Sequence, residues 1–548
     1  MLESLKKICI EAAIFLILLI SYSYFHQGGG WTNNSRFAQI RSVVERRKFE
    51  INDYVIYRFV HDVDGKLKLR RMAFPSDIKK EQIAWIANTG DFSLFQGRLY
   101  PNKPPGVVLA AVPAYFTIYH FERALGIDPD DWWPITFNAY LTTVFSVSLL
   151  AALGGVVFYR ISLRLFPSAS AWTHAASTLT FGIGTLMLPF ATMLSDHDIV
   201  AALSLAGFWL VLVEKDGGFA LVRPAIALVT AGILTGLTVL MSYVAVISVT
   251  LLTLYVAWSA RTRREVVFFL AGVALPLALL AWYHMLCFGS AWAIANTYQY
   301  ELLQDEEMLL FGMFRIPQFD VIIKLLFSAY RGLFFTSPVL VLSCFGFWLM
   351  AVRYNRHAEL SLCIAIFISF LVMNSSFNNW HSGWSIGPRY LIPALPFLSL
   401  PLTLVFEKLP RATLVVAALS ATTMLMATAV DPQPTWMVQN PLIQYTLPLL
   451  RGETMMLSKI DGTPLIPLIQ GPVSANPIGV YESWVYPVSQ PGSIQQQWNS
   501  FNLGEFFWPG SLISLLPLVC FLVLGLGALR HWSRQPITES TEPFIVAR

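Results

Sequence analysis

Charge is what this chain has little of. Only 13% of its 548 residues are Asp, Glu, Lys or Arg, where a soluble domain carries about a quarter. With 55% hydrophobic residues and a mean hydropathy of +0.57, a helical bundle in lipid is the economical reading, because helices satisfy their own backbone polar groups. The formal net charge of +4 is too small to argue for nucleic acid, and no aromatic–basic stripe supports it. Cysteine is scarce as well. Cys9, Cys287, Cys344, Cys363 and Cys520 all lie in or beside apolar runs, so neither a disulfide framework nor a cysteine metal site is expected. Nucleotide-binding signatures are missing, with no Walker loop and no Gly-x-Gly-x-x-Gly on a strand.

Long apolar runs are what the chain does have. They fall at about 8–25, 136–158, 170–190, 198–213, 222–239, 241–260, 266–286, 332–352, 358–376, 390–406, 412–430 and 509–530, each near the ~20 residues that span a bilayer. The first follows Lys6 and Lys7 and has no small-residue cleavage site after it, which predicts an uncleaved signal anchor. Arg160/Arg164, Lys215/Arg223, Arg261/Arg263/Arg264, Arg353/Arg356, Lys408/Arg411 and Arg530/Arg534 occupy every second short connection. The positive-inside rule makes these cytoplasmic, together with Lys6 and Lys7. The run Val107–Tyr119 would break this parity if it crossed, so it is read as an interfacial or re-entrant helix; a thirteenth span is the competing reading.

The predicted fold is therefore an all-α polytopic membrane protein of about 12–13 transmembrane helices, with a long first external loop (26–105) and a small external segment near the C-terminus. Residues 1–430 form the membrane module, 431–507 an external cap rich in Pro, Gly, Gln and Trp, and 508–548 the last helix and a cytoplasmic tail.

The first loop holds eight acids: Glu45, Glu50, Asp53, Asp62, Asp64, Asp77, Glu81 and Asp91. Most acids in an exposed loop only solvate it. Asp91 stands apart because it ends the turn sequence Asn88-Thr89-Gly90-Asp91 and precedes Phe92-Ser93-Leu94-Phe95. Asp53 is likewise flanked by membrane-surface residues, in Ile51-Asn52-Asp53-Tyr54. A carboxylate held against apolar surface has a raised pKa and is suited to general-base work. Lys103 precedes Pro104-Pro105, which fix the amine at the start of a helix, a natural phosphate site; a snorkelling lysine is the bland alternative.

A second dense motif runs Asn379-Trp380-His381-Ser382-Gly383-Trp384-Ser385-Ile386-Gly387-Pro388-Arg389-Tyr390. Its glycines allow close approach of a ligand, and Trp380 and Trp384 suit an interface or a stacked sugar. Arg389 at the head of a membrane helix can grip a phosphate bidentately. Tyr330-Arg331-Gly332 repeats the pairing of aromatic and arginine. Ser195-Asp196-His197-Asp198 could bind a metal, assist acid–base work or solvate a turn.

Taken together, these motifs resemble the GT-C superfamily of integral-membrane glycosyltransferases. The resemblance is carried by Asn34-Ser35-Arg36-Phe37 after the anchor helix, Asn88–Asp91, Asn102-Lys103-Pro104-Pro105-Gly106, Ser328–Phe334 and Gly383–Pro393. Bacterial members that use polyprenyl-phosphate sugars are the nearest likeness, with protein O-mannosyltransferases and the aminoarabinose transferase of lipid A more distant. The resemblance implies transfer of a sugar from a polyprenyl-phosphate donor to a glycan, lipid or protein acceptor outside the bacterial inner membrane. It implies an acid of the first loop as base. In the mannosyl- and aminoarabinose-transferase relatives that acid stands just before the Arg-Phe/Tyr pair, at the place where this chain has Asn33-Asn34 ahead of Ser35-Arg36-Phe37, so the role falls to Asp91 or Asp53. Lys103, Arg389 and Arg331 are the expected phosphate ligands, and Asn88, Tyr330, Trp380, His381, Trp384 and Tyr390 the substrate contacts. No cofactor is required, and a divalent ion near Asp196 and His197 is allowed. Competing readings are a ligase or polymerase of lipid-linked oligosaccharide, or a transporter of lipid-linked sugar. A transporter would place ionisable groups at mid-membrane and show repeated halves.

Overall fold

In the computed structural model, residues 2–61, 65, 67–71, 88–218, 223–299, 309, 312–434, 436, 438–451, 500–509 and 511–534 are described. Asp62, Asp64, Asp77, Glu81 and most of the expected cap (452–499) lie outside them. The chain is an all-α polytopic bundle, and each of the twelve apolar runs falls on a helix or a broken helix. With α2 and α3, which belong to none of these runs, the helices in order are α1 (Leu2–Ser23), α2 (Trp31–Arg41), α3 (Gly106–Ala124), α4 (Trp132–Leu165), α5 (Ala171–Ile183), α6 (His197–Lys215), α7 (Pro224–Met241), α8 (Tyr243–Ser259), α9 (Arg263–Phe288), α10 (Pro338–Arg353), α11 (His357–Ser376), α12 (Arg389–Ser399 and Leu402–Lys408), α13 (Pro410–Val430) and α14 (Leu512–Ser533).

Among the described residues, seven helices are long and apolar enough to cross a membrane, or eight when α12, bent by 50°, counts as one span. That is fewer than the twelve or thirteen expected, for local reasons. Lys6, Lys7 and Glu11 put charge into α1, the 170–190 run breaks after Ile183 and resumes at Met187–Phe190, and α8 and α10 are short. Only 17% of the last span is buried, leaving its apolar surface turned outward as lipid requires.

Ion pairs sort the loops into two ends. Glu11 binds Arg160 at 2.6 Å, Asp216 binds Arg164 at 3.1 Å and Arg356 at 2.7 Å, and Lys215 binds Glu359 at 2.6 Å. The start of α1 and the connections at Arg160/Arg164, Lys215 and Arg353/Arg356, all assigned inside by charge, thus meet at one end.

The first loop assembles at the other. Helix α2 leads into a π-helical turn (Ser42–Arg46), and two hairpins follow: β2 (Tyr57–His61) with β3 (Leu67–Arg71), and β4 (Phe92–Phe95) with β5 (Arg98–Pro101). A two-residue strand β1 (Phe25–His26) pairs with β6 (Phe501–Asn502) and brings the start of α14 back to the end of α1. Helix α3 lies alongside α2. The loop preceding it carries Lys103 beside Asp91, and the turn after it carries Asp130, which accepts from Arg41 and Arg71. Both ends of α3 therefore touch the first loop.

Candidate functional site

The turn carrying Asp91 is built onto the first turns of α2. Asn34 donates to the Asn88 carbonyl (2.7 Å), Thr89 to the Trp31 carbonyl (2.8 Å) and Ser35 to the Asp91 carbonyl (2.7 Å). Gly90 lies flat on the Trp31 ring; a Cβ there would stand 2.7 Å from a ring carbon. The sequence signal was a permissive turn, and the structural reason is this close approach.

The Asp91 carboxylate, buried with the rest of its residue, accepts from the Thr32 hydroxyl and from the Asn102 amide (3.4 Å), and Lys103 Nζ stands 4.0 Å away. Burial pushes the carboxyl upward, but Lys103, Thr32, Arg389 and Asn102 together outweigh it and hold the group below the usual carboxylate range. This corrects the expectation of a raised pKa: the nearby cations dominate.

Arg389 begins α12 with its guanidinium 5.5 Å over the Tyr390 ring. Its Nε is buried without a hydrogen-bond partner, and it forms no ion pair among the described residues. Its charge nevertheless reaches Asp91, His197, Arg331 and His381. Burial, followed by the charges of Arg331 and Arg389, pushes His381 down to about 4, so this ring is neutral at pH 7. The His197 ring packs edge-on to Tyr390 at 5.6 Å and lies 3.7 Å from Asp196.

Asp196 is engaged by Arg36, a fully buried side chain of α2 that donates to it at 2.7 Å and also binds the Leu194 carbonyl at 2.5 Å. Among the described residues no group of three or more His, Cys, Asp or Glu is placed to hold a metal ion. The metal reading of Asp196 and His197 gains no ligand set from the geometry.

The structure thus brings Asp91, Lys103, Arg389, Tyr390, His197 and Asp196 together. It sets others apart. Asp53 sits exposed on a 3-10 turn, with no hydrogen bond or ion pair among the described residues. Asn88 is buried, with its N–H on the Val55 carbonyl and its amide N–H on the Tyr54 carbonyl, while its Oδ1 has no hydrogen-bond partner among the described residues. Arg331 is fully buried and donates to the carbonyls of Tyr330 (2.9 Å), His381 (3.2 Å), Gly383 (3.5 Å) and Pro434 (3.5 Å), which uses most of its fork on backbone. Tyr330, Trp380 and His381 form an aromatic cluster with ring centroids 5.8–6.5 Å apart, joined by Trp436 at 6.0 Å from His381. Trp384 lies on the same loop, partly exposed.

Sequence reasoning missed Thr32, Asn102, Arg36 and Trp436. Asn102 stands next to Lys103, and Arg36 lies in Asn34-Ser35-Arg36-Phe37, motifs already singled out; Thr32 and Trp436 carried no local signal. Residues 383–387 also spell Gly-x-Ser-x-Gly, but Ser385 is buried in an irregular loop and donates to the Gly387 carbonyl at 2.5 Å. It lacks the strand-to-helix elbow that makes such a serine a nucleophile.

No family model matches the chain, and no curated protein does. Solved structures similar in course include three of different proteins. ArnT from Cupriavidus metallidurans bound to undecaprenyl phosphate shares 13% identity over 96% of this chain and 77% of that one, with a TM-score of 0.47. The oligosaccharyltransferase AglB from Archaeoglobus fulgidus, in complex with an inhibitory peptide and a dolichol-phosphate, shares 12% over 77% and 55%, with a TM-score of 0.41. The arabinofuranosyltransferase AftD from Mycobacteria shares 13% over 77% and 26%, with a TM-score of 0.42.

Proposed function

We propose that this protein is an integral-membrane glycosyltransferase that moves a sugar from a polyprenyl-phosphate donor to an acceptor hydroxyl on the non-cytoplasmic face. The observation that carries the reading is the buried Asp91 carboxylate sharing its site with Lys103 and with Arg389, a guanidinium that has no counter-ion among the described residues. A surplus cation beside a carboxylate suits a phosphate that must leave and a hydroxyl that must lose a proton.

In this mechanism Asp91 takes the proton of the acceptor hydroxyl as its oxygen attacks the anomeric carbon. The bond to the phosphate oxygen breaks, and the electron pair leaves on the lipid phosphate, whose charge Lys103 and Arg389 stabilise. Attack opposite the leaving group inverts the anomeric configuration. Thr32 and Asn102 hold the carboxylate in place, and Tyr390, beside Arg389 and His197, borders the sugar's approach. The family resemblance puts the base next to position 33, and the Thr32 contact brings Asp91 to that same turn of α2 from 59 residues further along.

The test is transfer of label from a radiolabelled polyprenyl-phosphate sugar in membranes. Asp91→Asn lowers transfer by about a hundred- to ten-thousand-fold, the usual worth of a general base, and Asp53→Asn leaves it within twofold. Full transfer by Asp91→Asn sinks the assignment. A carboxylate restored nearby, in Asn33→Asp/Asp91→Asn, recovers part of the rate.

A further inference from the structure

Arg331 lies in a turn between helices, and its side chain reaches two other segments of the chain. The residue precedes Gly332, in a turn so tight that a Cβ on Gly332 would lie 2.3 Å from the Ser328 carbonyl oxygen. From there the guanidinium reaches the His381 and Gly383 carbonyls of the loop that leads to Arg389, and the Pro434 carbonyl of the chain leaving α13. That chain lies as a strap along the same loop: Ser385 N–H donates to the Pro434 carbonyl and Ile386 N–H to the Pro432 carbonyl. The loop needs such bracing, because Ser382 and Gly383 both take left-handed backbone (φ 65° and 62°), a conformation a serine adopts only when its surroundings impose it. A planar fork can satisfy several carbonyls in fixed directions, which a lysine ammonium cannot.

We infer that Arg331 is a positioning residue that fixes the 381–387 loop, and through it Arg389, without touching the lipid phosphate itself. This rests on the transferase reading and changes the role of one of its expected phosphate ligands. A direct ligand and a positioning residue respond differently to substitution. A direct ligand replaced by lysine keeps its charge at the phosphate and much of its binding. A positioning residue loses as much with lysine as with methionine, and its loss vanishes once the residue it positions is gone.

The experiment is a double-mutant cycle on undecaprenyl phosphate binding to the purified full chain, with thermal unfolding recorded for each variant. Arg389→Ala weakens binding by roughly tenfold or more. Arg331→Lys and Arg331→Met weaken it to the same extent within about twofold, and Arg331→Met/Arg389→Ala binds no more weakly than Arg389→Ala alone. Near-normal binding by Arg331→Lys, or additive losses in the double variant, overturns the inference. Should the Arg331 variants fail to fold, Ser385→Ala releases the same loop by removing its bond to Gly387 and must show the same non-additivity with Arg389→Ala; additivity there overturns the inference equally. Wild-type protein that does not bind undecaprenyl phosphate defeats the transferase reading instead, so the two failures are distinct.

Discussion

Asp91 is an acid whose strength depends on what stands beside it. Burial alone would make it a stronger base; Lys103 and Arg389 make it a weaker one. An anionic donor phosphate between those cations neutralises them, and burial then acts with less opposition, so donor binding raises the pKa of the carboxyl. The base must be deprotonated to work, so activity falls as pH drops through that pKa. The acid limb of kcat, which reports the bound state, therefore lies at higher pH than the acid limb of kcat/KM, which reports the free enzyme. Coincident limbs would contradict the coupling. Lys103→Met removes the leading charge that lowers the group and shifts the kcat/KM limb upward. At this scale Asp91, Lys103 and Arg389 were legible because each sits in a turn or at a helix start that leaves a local mark. Thr32 was not, since its contact spans 59 residues. Asp53 misled because its neighbours Ile51 and Tyr54 are buried while its own carboxylate faces water.

Elements were read best where a run of apolar residues left no alternative to a helix, and least well where a short strand competed. The β4–β5 hairpin turns on Gln96 and Gly97, both left-handed (φ 49° and 76°), the geometry of a tight two-residue hairpin. The Gly97 in the Gln96-Gly97 pair between the two aromatic segments could have announced it. The crossing of α7 and α9 was also hidden in plain hydropathy. A Cβ on Gly232 would lie 2.0 Å from the Phe269 carbonyl oxygen, and one on Gly272 would lie 2.1 Å from that of Val229. Gly232 and Gly236 are spaced as in small-residue contacts of membrane helices, which let backbones touch. Gly232→Ala forces the two helices apart and costs about 1–3 kcal/mol, to be seen as a lowered unfolding midpoint in detergent. An unchanged midpoint would mean the helices do not meet this closely.

Across the whole molecule, the basic connections at Arg160/Arg164, Lys215 and Arg356 meet through ion pairs, and the first loop gathers Asp91, Lys103 and Asp196 elsewhere in the fold. Topology is therefore open to a direct check. After the exposed Cys9, Cys344 and Cys520 are changed to serine, a membrane-impermeant thiol reagent labels Gly97→Cys in intact cells and labels Arg263→Cys only after permeabilisation. The reverse pattern would put the site on the side where nucleotide sugars are available and remove the need for a lipid-borne donor. Less legible at this scale was the closure of the fold, in which β1 at the end of α1 pairs with β6 just before α14. A two-residue ladder across some 475 positions leaves no pattern in hydropathy.

The account stands on a lipid phosphate seated between Lys103 and Arg389 with Asp91 beside it, and an experimental structure of the chain with undecaprenyl phosphate measures that directly. The expected result is a phosphate whose oxygens lie within about 2.7–2.9 Å of both cationic groups, on the same side as the first loop. A phosphate bound elsewhere, such as at the Arg261–Arg264 end of the bundle, would contradict it.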